Sequence, residues 1–207
     1  SPKRRRRSSA AAPPWGRLHQ TRDRKIGYSS MPAQHPAVAN GSYFITQVVK
    51  DRHPLFRNVV ACELLLNSLR AAKSFHPFSM IAYVLLPDHF HLMIQPQETI
   101  SVALIMASAK VMFTRDHKRR LGIDGKMAVW QDGFFDHVIR DPVDLQRHLD
   151  YIHYNPVRHG LVQRPEAWLW STFGEWKKRG AYADMWGWSL PETIAKWGLA
   201  EPSPDDV

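Results

Sequence analysis

The sequence FSMIAYVLLPDHFHLMIQ, residues 78–95, predicts a β-hairpin near the middle of the chain. Its two halves are rich in β-branched, aromatic and aliphatic residues, which favours strands over residues 78–86 and 89–95. Pro87 and Asp88 between them are turn-forming residues, and so short a connection makes the two strands antiparallel.

The segments on either side of this hairpin predict the fold class. Upstream, a strand over residues 43–49 precedes a helix over residues 59–75, whose apolar residues recur at helical spacing. Downstream, a helix over residues 100–121 precedes a fourth strand over residues 127–139. The order strand, helix, strand, strand, helix, strand is that of the ferredoxin-like βαββαβ fold. This is an α+β fold with an antiparallel sheet and helices packed on one face.

An additional helix is predicted after the fourth strand. Asp141 is a suitable N-cap, Pro142 fits the first helical position, and Asp144 places negative charge in the first turn. We expect this helix to end at about Asn155, because Pro156 disfavours a helical conformation in the residue before it.

Composition divides the chain into three parts. Residues 1–40 contain Ser, Ala, Pro and Arg without periodicity, which predicts a basic, disordered arm. Residues 41–160 hold the predicted strands and long helices and form the folded domain. Residues 161–207 predict a C-terminal extension that docks on this domain. Six of the eight tryptophans lie in the extension, at Trp168, Trp170, Trp176, Trp186, Trp188 and Trp197.

The composition excludes several classes of protein. A hydrophobic share of 44% in 207 residues is enough for a core and excludes global disorder. No apolar stretch approaches the roughly 20 residues that span a membrane, and we expect no secretory signal. The single cysteine, Cys62, excludes an internal disulfide framework and a Cys-rich zinc site. It favours a reducing, intracellular setting.

The net charge of +9 belongs mostly to the arm. Residues 1–25 carry +8, whereas the other 182 residues carry only +1. A Lys- and Arg-rich arm can bind nucleic acid by releasing counterions. An extension without function, ahead of a start at Met31, is an equally good interpretation.

His89 and His91 form the first candidate site. Residues i and i+2 of a strand point to the same face, so both imidazoles project side by side while Phe90 turns into apolar packing. Two neutral imidazoles at that separation can chelate one divalent metal ion. Two hydrogen-bonded or solvent-facing histidines are the alternative, since the chain has 11 histidines.

Tyr151 and Asn155 form the second candidate site. They lie four residues apart, on one face of the additional helix. An amide oxygen can bind a hard metal ion, and a tyrosine hydroxyl can attack phosphorus. An ordinary helix end is the alternative for these two residues alone. Together with the two histidines, they complete a set suited to metal-assisted attack on a phosphodiester, with a covalent phosphotyrosine as product.

Two motifs carry a resemblance to a known family. They are LLPDHFHLMI at residues 85–94 and YIHYNPVRHGLV at residues 151–162. Both resemble the motifs of the single-tyrosine HUH transposases, and most closely those of the REP-associated tyrosine transposases. The resemblance covers roughly residues 41–173. The chain departs from the family at Asp88, where Asn is the common residue.

The resemblance implies a reaction and a set of roles. His89 and His91 match the metal ligands, Tyr151 matches the nucleophile, and Asn155 matches the third ligand. Mg²⁺ or Mn²⁺ is the implied cofactor, and the implied partner is single-stranded DNA folded into palindromic hairpins. Cleavage leaves a 5′-phosphotyrosine and a free 3′-hydroxyl. The resemblance also favours a monomer over a dimer. Tyr154 is the rival nucleophile.

Basic side chains are the candidate phosphate contacts. The tryptophans of the extension can stack on unpaired bases, with packing as the simpler role. His148 and His153 are candidates for a proton or metal role, again with packing as the simpler role. The basic candidates are Arg115, Lys118, Arg119, Arg120, Arg158, Arg164, Lys177, Lys178 and Arg179.

A non-catalytic nucleic-acid-binding module is the main alternative function. The same element order builds RNA-recognition domains, in which aromatic residues of the sheet stack on bases. The chain has His89 and His91 where such a sheet needs aromatic residues, which argues against this alternative. A hydrolytic zinc enzyme is a third interpretation, but such enzymes usually need more His or acidic ligands.

Overall fold

The computed structural model describes residues 41–97 and 100–197, with the backbone alone at Trp197. The predicted arm over residues 1–40 lies outside the described residues, as does the end of the extension over residues 198–207. Short 3₁₀ helices lie at Lys50–Arg52, Leu55–Arg57 and Pro165–Ala167. The other elements are β1 (Tyr43–Val48), α1 (Val59–Phe75), β2 (Phe78–Leu85), β3 (His89–Pro96), α2 (Val102–Leu121), β4 (Phe135–Val138), α3 (Pro142–Arg158), α4 (Phe173–Lys178) and α5 (Glu192–Trp197).

The four strands form one antiparallel sheet in the order β2-β3-β1-β4. β3 pairs with both β1 and β2, so the strand that carries His89 and His91 lies inside the sheet. Thr46 of β1 lies opposite His91, and Phe44 lies opposite His137 of β4. The predicted α+β class and antiparallel sheet are confirmed.

Helices cover both faces of the sheet. α1 and α2 pack together on one face, over a core that includes Ile45, Phe90 and Leu92. α3 and the C-terminal extension cover the other face, where Phe44 and Met93 are buried against them. The predicted packing of the two βαββαβ helices on one face holds for α1 and α2, and the additional helix α3 covers the opposite face. β3 alternates large apolar residues on one face with His89, His91 and Met93 on the other, so both faces are buried.

The fourth strand is shorter than predicted. Only Phe135–Val138 pair as a strand, and Gly133 just before them has a positive φ of 72°. Residues 127–134 instead follow the end of β1 as an irregular segment, with backbone hydrogen bonds from Lys50 N to Val129 O and from Gln131 N to Val48 O. Alternating apolar residues in this segment reflect burial against the core, not regular strand pairing.

α3 begins as predicted and ends later than predicted. The Asp141 carboxylate caps the helix by accepting hydrogen bonds from the backbone N–H groups of Val143 and Asp144. The helix continues through Pro156 to Arg158, and Asn155 and Pro156 are both buried. Tertiary packing of this last turn outweighs the local preference of a residue before proline. As a result Asn155 lies within the helix, one turn after Tyr151.

The C-terminal extension docks along the outer edge of β2. Backbone hydrogen bonds run from Leu85 N to Trp170 O at 2.8 Å and from Thr172 N to Tyr83 O at 3.0 Å. The indole N–H groups of Trp168 and Trp176 donate to carbonyl oxygens of the same strand, at Leu85 and Ile81 respectively. The extension thus covers a row of backbone groups that an edge strand leaves exposed.

None of the described helices is both long enough and apolar enough to cross a membrane.

Candidate active site

His89 and His91, here called the His pair, lie side by side beneath α3. Their ring centroids are 5.0 Å apart, and the two residues are 1% and 0% exposed. Alternation along β3 places both rings on the α3 face of the sheet, as the spacing predicts.

Each ring of the His pair is held through its Nδ1 atom. Nδ1 of His91 lies 2.8 Å from Oγ1 of Thr46, and Nδ1 of His89 lies 2.7 Å from Oδ1 of Asp88. A carboxylate accepts hydrogen bonds, so His89 donates from Nδ1 and carries its lone pair on Nε2. Partners of this kind fix the tautomer and orientation of metal-binding histidines.

Asp88 was not among the predicted site residues, but its carboxylate contacts His89. Burial alone would raise the pKa of its carboxyl, but the hydrogen bond from His89 and the charge of Arg52 hold that pKa below its usual value. The guanidinium of Arg52 lies 3.2 Å from the other carboxylate oxygen. Asp88 therefore stays ionised and directs the His89 ring. Its position beside the histidine motif was the available signal.

Tyr151 projects from α3 toward the His pair. Its ring centroid lies 5.3 Å from that of His91 and 5.8 Å from that of Phe44. The phenolic oxygen accepts a hydrogen bond from Nη1 of Arg158 at 3.0 Å, and the guanidinium carbon lies 5.5 Å from the ring centroid. The structure thus places the positively charged guanidinium of Arg158 next to the phenolic oxygen of Tyr151.

Asn155 lies between two residues that contact the His pair, Tyr151 of α3 and His159 just after the end of the helix. Tyr151, Asn155 and His159 follow one another at intervals of four residues, so they share one side of the helix end. The ring of Tyr151 contacts His91, and the ring of His159 lies 5.4 Å from that of His89. The side chain between them therefore faces the His pair. His159 was not among the predicted site residues, although its spacing from Asn155 was a usable signal.

Buried polar atoms without partners mark this place as a binding site. Nε2 of His89 and both amide atoms of Asn155 have no hydrogen-bond partner within residues 41–97 and 100–197. Leaving such an atom buried and unsatisfied costs about 1–3 kcal/mol. Imidazole nitrogens with an amide oxygen are donors that divalent ions such as Mn²⁺ accept. The residues present therefore fit a metal ion.

Tyr154 and His153 point away from the His pair, and His148 lies against His137 of β4, with ring centroids 4.6 Å apart. Tyr154 is buried beneath the extension, with its ring centroid 6.4 Å from that of Trp186. His153 lies between the Tyr182 hydroxyl at 2.8 Å and Oγ1 of Thr172 at 2.9 Å, and burial lowers its pKa to about 3. His153 is thus a neutral link between α3 and the extension.

The basic candidates lie in two different places. Those of α2 belong to the helix on the opposite face of the sheet from the His pair, where Arg115 and Arg119 both form ion pairs with Asp116. Arg158 contacts Tyr151, and Arg164 lies against the Trp188 ring at 4.8 Å. The structure therefore brings Arg158 to the site and leaves Arg115, Lys118, Arg119 and Arg120 behind the sheet.

Comparisons with known proteins give a consistent picture. The profile of a family described as "Transposase IS200 like" matches residues 37–155, which is more than half of the chain. A putative REP-associated tyrosine transposase of Haemophilus influenzae is 35% identical over 71% of this chain and 88% of its own length. The REP-associated tyrosine transposase of Escherichia coli is 29% identical over 76% of this chain and 92% of its own length.

A solved structure extends the similarity to the fold. It is that of a REP-associated tyrosine transposase bound to a REP hairpin, and it matches with a TM-score of 0.66 at 26% sequence identity. The match covers 79% of this chain and 96% of the other.

Proposed function

Because the chain belongs to the IS200-like transposase family, and within it to the REP-associated tyrosine transposases, we propose a specific reaction for it. The enzyme cleaves and rejoins single-stranded DNA at REP-type palindromic hairpins, through a covalent 5′-phosphotyrosine, with the help of a divalent metal ion. The observation that carries this proposal is the contact between Tyr151 and His91, with Asn155 one helical turn further along α3.

The metal site consists of His89, His91 and Asn155. His89 binds through Nε2, because Asp88 occupies its Nδ1, and His91 binds through Nε2, because Thr46 occupies its Nδ1. Asn155 supplies the amide oxygen. A bound Mg²⁺ or Mn²⁺ polarises the scissile phosphate and offsets its charge.

Tyr151 is the nucleophile. Its phenolic oxygen forms the new bond to phosphorus, the bond to the 3′ oxygen breaks, and the phenolic proton is lost while the 3′ oxygen gains one. Arg158 donates a hydrogen bond to the phenolic oxygen, which fixes the position of that oxygen. Because an ester bond is conserved in the phosphotyrosine, a 3′-hydroxyl can reverse the step without any other energy source.

The chain acts as a monomer in this proposal, and it acts on hairpin DNA of the bacterial nucleoid. The extension occupies the outer edge of β2, an edge through which two copies could otherwise pair. The hairpin partner is supported by the solved relative, which is bound to a REP hairpin.

A non-catalytic binding module fits the structure poorly. Base stacking on a sheet requires an open face, whereas helices cover both faces of this sheet. The buried Nε2 of His89, which has no hydrogen-bond partner among the described residues, also has no role in such a module.

The decisive experiment compares Tyr151→Phe with Tyr154→Phe. A labelled hairpin oligonucleotide is incubated with Mn²⁺, and a covalent adduct is sought after denaturation. We expect the adduct with the unchanged chain and with Tyr154→Phe, and none with Tyr151→Phe, although that variant still binds the hairpin. An adduct formed by Tyr151→Phe, or none formed by any of the three proteins, contradicts the proposal.

A further inference from the structure

Three side chains with zinc-type donor atoms meet at the start of α3, outside the His pair. They are His137 of β4 with Asp144 and His148 of α3, here called the His137 cluster, and their donor atoms all lie within 4.8 Å of one another. Phe44 separates this cluster from the His pair, with its ring centroid 4.8 Å from His148 and 5.3 Å from His91. The cluster is thus a separate group of possible ligands.

The geometry of the cluster is close to that of a metal site. Nε2 of His137 lies 2.9 Å from Oδ2 of Asp144, and Nδ1 of His148 lies 3.2 Å from Oδ1 of the same carboxylate. The two imidazole rings are nearly parallel, with an interplanar angle of 20° and centroids 4.6 Å apart. Ligands bound tetrahedrally to zinc at about 2.0–2.1 Å lie about 3.3 Å from one another. Only small side-chain movements are needed to bind such an ion.

The fold holds the three ligands in place. Asp144 and His148 are four residues apart on α3 and share one face of the helix. His137 lies opposite Phe44 in the sheet, so its side chain projects toward α3. His148 is fully buried, Asp144 is nearly so, and the His137 side chain is 16% exposed, which gives an ion a path from solvent.

The carboxylate carries the negative charge that a cation requires. Its Oδ2 atom lies 2.9 Å from Nε2 of His137 and accepts a hydrogen bond from the backbone N–H of Arg140. The guanidinium of Arg140 lies 3.6 Å from this carboxylate, and its side chain is 72% exposed. Arg140 can therefore turn into solvent when a metal ion enters.

We propose that His137, Asp144 and His148 bind a second divalent metal ion of the zinc class, with water in the fourth position. Two imidazoles and one carboxylate are a common ligand set for zinc with an open position. The ion ties β4 to the first turns of α3, the helix that carries Tyr151. Its role is to fix this helix on the sheet, and it takes no part in the attack on phosphorus.

A network of hydrogen bonds without metal is the competing explanation. In the structure Nδ1 of His148 also lies 2.9 Å from the backbone oxygen of Asp144, and Oδ2 of Asp144 accepts the N–H of Arg140. Such a network needs the same side chains but has no affinity for zinc. Metal binding therefore separates the two explanations.

Equilibrium dialysis measures how many equivalents of Zn²⁺ the full chain binds. Asp144→Asn keeps a hydrogen-bond acceptor and removes the charge, and His137→Gln changes the most exposed ligand. We expect each variant to bind one equivalent fewer than the unchanged chain, with an unchanged circular dichroism spectrum. His53→Gln, an exposed histidine outside both sites, serves as the matched control and loses nothing.

Removing the His pair makes the result independent of the proposed function. The variant His89→Ala/His91→Ala should still bind Co²⁺ with the strong visible absorption of four-coordinate cobalt, and His137→Gln in that background should abolish this absorption. An unchanged zinc stoichiometry in both Asp144→Asn and His137→Gln overturns the second site. If the zinc stoichiometry stays the same when the His pair is removed, the proposed active-site metal is contradicted and the second site is not.

Discussion

Among single residues, Arg158 places a positive charge beside Tyr151, the proposed nucleophile. Its Nη1 atom donates to the Tyr151 hydroxyl, and its side chain lies over the same ring. A guanidinium in this position either orients the phenol or, by moving away, binds a phosphate of the DNA. The two roles have different kinetic consequences.

Arg158→Ala is expected to slow adduct formation at saturating hairpin DNA by about 100-fold, the size of effect seen when a donor to a reacting oxygen is removed. The rate of adduct formation and the affinity for hairpin DNA are measured separately. Arg164→Ala, which loses a contact with Trp188 instead, is the control and should leave the rate unchanged. A loss of affinity with an unchanged rate would assign Arg158 to phosphate binding alone.

Asp88→Asn converts the chain to the residue that is common in the family. The amide still accepts the hydrogen bond of His89, but the negative charge that strengthens this ligand is lost. Changes in such partners usually cost 10- to 100-fold in metal affinity. We expect Mn²⁺ affinity to fall by about 10-fold in calorimetric titration and activity to recover at excess Mn²⁺. Asp116→Asn on α2 is the control, and equal affinities for all three proteins would contradict the prediction.

Among the secondary-structure elements, α3 contacts two different parts of the molecule with its two faces. Tyr151 and Asn155 face the His pair, whereas His153 and Tyr154 face the C-terminal extension. The extension contributes Tyr182 and Thr172 as hydrogen-bond partners for both nitrogens of His153. The attachment of the extension therefore depends on His153 remaining neutral.

This dependence predicts a loss of stability in mild acid. The pKa of His153 falls from 6.5 to about 3 in the folded chain because the ring is buried. The unfolded chain then binds a proton that the folded chain does not, so the stabilisation is complete above pH 6.5 and is lost as pH falls from there toward 3. The expected slope approaches about 1.4 kcal/mol per pH unit.

Urea unfolding at pH 7, 6 and 5 measures this slope. His153→Gln, which retains one donor and one acceptor, should weaken the dependence on pH, and His53→Gln should preserve it. An identical slope in His153→Gln and the unchanged chain would show that other groups are responsible.

Local pattern was sufficient for some elements and insufficient for others. α1 has the predicted bounds, because helical spacing of its apolar residues is a local property. Tertiary packing overrides local rules at two other places, so the strand predicted over residues 127–139 is too long and the helix predicted to end at Asn155 is too short. The contacts of Asp88 and Arg158 with the site depend on side-chain geometry that spacing does not contain.

Within the described residues, helices cover both faces of the sheet and the extension covers one of its two edges. The extension pairs with β2 through Trp170 and Thr172, and the opposite edge is the four-residue strand β4. A long edge available for pairing with a second copy is therefore absent from the described part of the chain.

We expect the full chain to be monomeric, with a mass of 23.9 kDa by light scattering. A chain that ends after Val162 should self-associate or aggregate, because it exposes the edge of β2 and the apolar surface beneath the extension. Size-exclusion chromatography with light scattering tests both forms. A dimeric full chain, or a shortened chain that remains monomeric with unchanged stability, would contradict this expectation.

Because α3 contacts both the His pair and the extension, it also limits how such a protein can evolve. A substitution that tilts α3 to fit a different extension would also move the Tyr151 oxygen relative to the His pair. A substitution that repositions Tyr151 would in turn disturb the contacts of α3 with the extension. The site and the extension must therefore change together. Replacing the extension with that of another protein should require compensating substitutions along α3.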